Sequence, residues 1–115
     1  MKNYINIMKL LTKEIEAKLS KNIGNATKDK PYLKLFNPMG SATWLLSEYH
    51  EEDRTFFGLC DLGMGFPELG YVSLDEIESV RLPFGLNIER DIDFEPTKTL
   101  SEYTSEAKEL GSIRA

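Results

Sequence analysis

The sequence predicts an α+β domain: an antiparallel sheet of four to five strands with an N-terminal amphipathic helix and short peripheral helices. Three observations lead there. Apolar residues recur at steps of three and four near the N-terminus. Short strand-like runs follow, separated by charged or glycine-rich turns. Two helix-capping signatures, Ser73-Leu74-Asp75-Glu76 and Thr99 with Glu102, mark helix starts after strands.

Taken in order, Tyr4, Ile7, Met8, Leu11, Ile15 and Leu19 form one stripe of a helix expected over residues 3–21. Lys9, Lys13, Glu16 and Lys21 fall largely off that stripe. The stripe is expected to dock on the sheet, because a membrane-surface anchor shows more aromatic residues and a heavier basic face. Gly24, Asn25 and residues 29–31 form a turn-rich linker. Strands are expected from Tyr32 to Phe36, Ala42 to Tyr49 and Thr55 to Leu62, the last two joined as a hairpin by His50-Glu51-Glu52-Asp53-Arg54. Gly63, Gly65 and Pro67 break the third strand, the glycines supplying positive-φ turn geometry. Pairing resumes around Tyr71 and Val72. A short helix capped by Ser73 then stops before Pro83.

Ile88 to Phe94 reads as an alternating strand. It puts Ile88, Ile92 and Phe94 on one face and Glu89, Asp91, Asp93 and Glu95 on the other. Thr99 opens a final helix near Leu100 to Leu110, and residues 111–115 are expected to fray.

At 115 residues the chain is one domain by size, residues 1–115, with a Lys-rich helix and linker over 1–30 and an acidic body over 31–115. Its 41% hydrophobic and 29% charged residues suit a globular core. The net charge of −5 hides a split. Residues 1–34 carry eight lysines against three carboxylates; residues 35–115 carry six cations against sixteen carboxylates. A basic segment suits nucleic acid or an acidic partner, and an acidic body suits a basic protein surface. No stretch approaches the roughly 20 apolar residues of a membrane span, and charged residues interrupt any leader-like run. The single cysteine, Cys60, excludes an intrachain disulfide and fits a reducing cytoplasm, the expected location. Cys60 is expected to be a small hydrophobe on its strand, with no basic neighbour to activate it.

Among chemistry-bearing residues, Glu89, Asp91, Asp93 and Glu95 are the strongest candidates. One strand face cannot converge four carboxylates on one ion, so the stripe is read as a partner-binding surface instead. The loop Asp61 to Gly70 lacks the ending of a phosphate-binding loop, and Pro67 falls where a dinucleotide-binding helix would open. Phe66, exposed at that turn with Glu68 beside it, suits a partner contact. His50 is the only histidine, which rules out a multi-histidine metal site. No catalytic residue and no cofactor are assigned.

Three segments carry a family resemblance: LFNPMGSATWLLSE at 35–48, FGLCDLGMGFPELGYVSLDEIES at 57–79 and LPFGLNIERDIDFEPTKTLSEY at 82–103. On these the chain resembles a small bacterial family defined only as a domain of unknown function. Its members are carried by plasmids, conjugative elements and phages, sometimes beside antirestriction or DNA-processing modules. The resemblance implies a mobile-element setting and transfers no catalytic residue. The expected function is therefore a non-enzymatic accessory protein that inhibits a host nuclease or defence complex, of antirestriction or anti-CRISPR type. It would act through its acidic surface on a nucleic-acid-handling protein, without strong duplex DNA binding. The alternatives are a DNA- or RNA-processing accessory using the basic helix, and a divalent-metal hydrolase using Asp61, Asp91 and Asp93.

Overall fold

The computed structural model describes residues 9–25 and 28–115. Strands β1 (Leu33–Phe36), β2 (Thr43–His50), β3 (Thr55–Asp61), β4 (Glu68–Ser73) and β5 (Glu89–Arg90) form one antiparallel sheet in the order β4-β3-β2-β1-β5. Helices α1 (Lys13–Lys21), α2 (Leu74–Ser79) and α3 (Leu100–Leu110) pack against it. The class is α+β, as expected.

Both faces of the sheet are covered. On one, Leu33, Leu35, Leu46 and Phe56 pack with Leu19 of α1 and with Leu74 and Ile77 of α2. On the other, Leu45 and Leu59 pack with Leu100, Tyr103 and Ala107 of α3. A strand buried on both faces loses its polar alternation, and central β2 accordingly keeps Trp44 to Tyr49 buried without a break. The sheet is tightest at Gly58. A β-carbon there would overlap the Leu45 carbonyl oxygen and lie 2.7 Å from the Leu46 Cα.

The pairing of β2 with β3 slips between Leu46 and Glu48, leaving Ser47 as the extra residue of a bulge. The slip returns Tyr49 to the face of Leu46, where its ring meets Phe56 with centroids 5.1 Å apart. β1 pairs with β2 only as far as Leu46. Beyond it, Asn22 Nδ2 donates to the Ser47 carbonyl at 2.9 Å, covering that stretch of β2 from the side.

Three expectations are corrected. Helix α1 begins at Lys13, not near residue 3, because Thr12 caps it: Thr12 Oγ1 accepts the Ile15 amide at 3.2 Å. Leu10 and Leu11 are buried ahead of the helix, whereas Tyr4, Ile7 and Met8 lie outside the described residues. The strand expected from Ile88 to Phe94 ends at Arg90. There Asp91 turns the chain: its Oδ1 accepts the Asp93 amide at 3.0 Å and its carbonyl accepts the Phe94 amide at 3.3 Å. Ile88 therefore enters one core, Phe94 packs on the other, and Ile92 is exposed. Finally, the C-terminal tail is pinned. Asp61 Oδ2 accepts the Ile113 amide at 3.0 Å, and Lys34 Nζ donates to the Ala115 carbonyl at 2.7 Å.

Candidate functional site

The sheet order separates the six sequence-predicted binding residues. Phe66 and Glu68 lie at the β4 edge; Glu89, Asp91, Asp93 and Glu95 lie at or just beyond the β5 edge. With strands about 4.8 Å apart, the two edges stand roughly 19 Å from each other. They form two surfaces.

The β5 surface is partly committed to structure. Asp91 pairs with Lys34 at 3.3 Å besides holding its own turn. Glu89 is half-buried, while Asp93 and Glu95 are exposed. Asp61 does not join them: it is buried at the end of β3, and its two oxygens accept the Gly63 and Ile113 amides at 2.8 and 3.0 Å. Among the described residues, no group of three or more His, Cys, Asp or Glu side chains is placed to hold a metal ion.

The β4 edge is built differently. After Asp61, Gly63 and Gly65 take φ values of +84° and +87°, a region open to glycine. These two residues bend the chain so that Leu62, Met64 and Phe66 point away from the core, 61%, 74% and 80% exposed. Pro67, buried, then feeds β4. Tyr71, 67% exposed, rests its ring on Phe57 at 5.0 Å between centroids and near His50 at 6.1 Å. Leu62, Met64, Phe66 and Tyr71, together with Cys60, Glu68, Leu69 and Gly70, line a shallow pocket of about 280 Å³. Burial pushes the Cys60 thiol up to about 11, so it lines the pocket as a neutral group.

The backbone of β4 also has an open side. The Leu74 amide donates to the Arg54 carbonyl at 2.9 Å, which makes Arg54 and Leu74 a hydrogen-bonded pair. Antiparallel pairs alternate. With Val72 opposite Phe56 and Gly70 opposite Gly58, the backbone groups of Val72 and Gly70 face β3. Those of Leu69 and Tyr71 face outward, where no described strand pairs with them.

Beyond the far end of β4 lies an acidic pole. Arg54 Nε donates to Asp75 Oδ1 at 2.8 Å and its terminal nitrogen to Glu78 Oε1 at 3.2 Å, drawing the hairpin tip with Glu51, Glu52 and Asp53 onto α2. Ser73 Oγ caps α2 by accepting the Glu76 amide at 3.2 Å. Between Arg54 and Arg81 the chain carries five carboxylates and no Lys, Arg or His. The exposed side chains of the β4 edge are thus apolar from Leu62 to Tyr71, with Glu68 at its start and Glu76 past its end, while Asp75 and Glu78 are paired with Arg54.

A groove of about 540 Å³ lies between α1 and the β5 edge, lined in part by Lys18, Lys30, Lys34, Arg90, Tyr32 and Phe94. Its four cations are only partly offset by Glu14, Asp91 and Glu95, and Lys34 is already paired with Asp91.

A family model described as "Protein of unknown function (DUF2958)" matches residues 10–114. The chain belongs to that family. The DUF2958 match runs from buried Leu10 to the tail beyond Ile113, so both sheet edges and all the described strands and helices lie within the family's domain. No curated protein and no solved structure matched the chain. Among the described residues no helix is long and apolar enough to cross a membrane.

Sequence reading placed Phe66 and Glu68 near this edge but missed Leu62, Met64 and Tyr71 as their neighbours. The signal was present in LGMGFPELGY, where apolar residues alternate with glycines that cannot bury them. Glu48 was also missed. It is buried in β2, with its carboxylate accepting the Gly24 amide at 3.3 Å and contacting His50 Nε2 at 3.1 Å.

Proposed function

We propose that this protein is a non-enzymatic accessory protein that binds, and by binding inhibits, a nucleic-acid-handling protein of its host. The observation that carries the reading is the β4 edge, where Leu62, Met64, Phe66 and Tyr71 are exposed together within a stretch without cations. Contiguous exposed apolar side chains mark interaction surfaces. The anionic flank favours a basic partner surface, as proteins that grip phosphates possess. The plasmid, phage or conjugative-element setting belongs to the proposal and rests on the sequence resemblance. So do the antirestriction or anti-CRISPR role and the cytoplasmic location.

Capture from the native host at low salt and at about 0.15 M, where screening acts within roughly 8 Å, tests the reading. A nucleic-acid-handling protein should co-purify, more weakly at the higher salt. Tight duplex DNA binding by the purified protein, lost when Lys9, Lys13 and Lys18 are neutralised, would contradict it. That outcome would favour a second reading, direct nucleic-acid contact, which has the groove with Lys18, Lys30, Tyr32 and Phe94 behind it.

A further inference from the structure

We propose that the β4 edge binds its partner by strand addition, accepting an extended segment rich in Lys or Arg and in β-branched residues. The inference deepens the proposed function and rests on it: it names the part of the partner that binds and the atoms that hold it.

Three features converge on this mode. Leu69 and Tyr71 present their backbone N–H and C=O groups outward on a strand that ends the sheet. Exposed edges are templates for a further strand, and proteins ordinarily blunt them with lysine, proline or a covering loop. β4 has no lysine or internal proline, and Gly70 at its centre leaves open space where a side chain would stand. The second feature is side-chain selectivity. An added strand would place alternate residues over the pocket beside Phe66 and over the ring of Tyr71, the arrangement that lets strand-addition sites choose sequence. The third is charge. Glu68 stands at the start of β4, and Glu76 follows its end beside Asp75, which Arg54 already pairs. A cationic segment gains attraction at Glu68 and Glu76, the two ends of the edge, and an anionic one is repelled there.

The probe is a seven-residue peptide alternating Lys and Val, with blocked ends, compared with its Glu-Val counterpart. Amide hydrogen exchange and amide NMR shifts of the full chain are the readouts. In the free protein the Leu69 and Tyr71 amides should exchange quickly, and the Gly70 and Val72 amides slowly. Saturating Lys-Val peptide should slow the Leu69 and Tyr71 amides at least tenfold, and the Glu-Val peptide should not. Tyr71→Pro removes one outward N–H while leaving the β3 ladder intact, since proline is tolerated where an edge N–H faces solvent. It should weaken peptide binding several-fold more than Tyr71→Ala, which removes the ring alone.

Lack of binding, equal response to both peptides, or protection confined to residues 89–95 would overturn the inference. Should Tyr71→Pro not fold, the exchange pattern on the unmodified protein still decides. A host partner that needs Phe66 yet leaves the Leu69 and Tyr71 amides exchanging freely would sink strand addition while sparing the proposed function.

Discussion

Asp61 Oδ2 accepts the backbone amide of Ile113 at 3.0 Å, joining the end of β3 to a tail 52 positions later. The other oxygen accepts the Gly63 amide at 2.8 Å and opens the turn that displays Met64 and Phe66. One buried carboxylate therefore secures both the C-terminus and the base of the candidate surface. Asp61→Ala leaves these two amides without their acceptor, at about 1–3 kcal/mol for each left buried. Asp61→Asn retains an acceptor oxygen and should cost less. Urea denaturation of the two variants checks the order, and an Asp61→Ala curve overlaying wild type would show the contacts to be dispensable.

Gly58 is expected to be the least replaceable glycine of the sheet. Its hypothetical β-carbon meets the backbone of Leu45 and Leu46, not a flexible side chain. Overpacking of this kind costs about 1–3 kcal/mol or more. Gly70→Ala, at a position with open space, serves as the control. The same denaturation series separates them, and equal stability of the two variants would refute the close approach.

Much of this architecture is legible in the sequence. Apolar periodicity and turn residues locate β1 to β3, the glycine turn and α3, whose capping box closes with the Thr99 amide donating to Glu102 Oε1 at 2.9 Å. What fails does so for local reasons. Thr12 interrupts an apolar period that looks continuous, because a single hydroxyl suffices to start the helix there. Asp91 ends a strand that alternates well on paper, because its side chain bonds its own backbone two residues on. The bulge at Ser47 is hidden because both faces of β2 are buried, leaving no polar alternation to reveal a slip. The division of the candidate residues between two edges depends on strand order, which periodicity does not encode.

Cys60 should resist alkylation near neutral pH. Burial lifts its folded value from 9.0 to about 11, which disfavours the thiolate, the reactive form. The stability contributed by keeping the thiol neutral is complete below pH 9.0 and is lost as pH rises through about 11. Iodoacetamide labelling should be slow at pH 7.5 and speed up on unfolding in urea. Labelling of the folded protein at the rate of a free thiol would contradict the placement.

Glu102 should couple α3 to pH in the opposite sense. Hydrogen bonds from the Thr99 amide and hydroxyl hold its carboxyl below its usual 4.5. Its contribution is therefore present above 4.5 and fades as pH falls through the lower folded value. Glu102→Gln should flatten the part of the melting-temperature profile that falls away below pH 4.5. An unchanged acid limb would show that the cap carries no pH dependence.

The central claim is that the β4 edge is the binding surface. Its most direct test is partner capture from the native host with two variants, read by quantitative mass spectrometry. Met64→Asp with Phe66→Asp alters exposed side chains of the β4 edge. Asp93→Lys with Glu95→Lys alters exposed charges beyond β5 and touches neither core cluster. With both variants folded by circular dichroism, the β4 variant should lose at least nine-tenths of the captured partner. The β5 variant should keep most of it. Loss through the β5 variant with full retention by the β4 variant would contradict the account and return the function to the carboxylate edge.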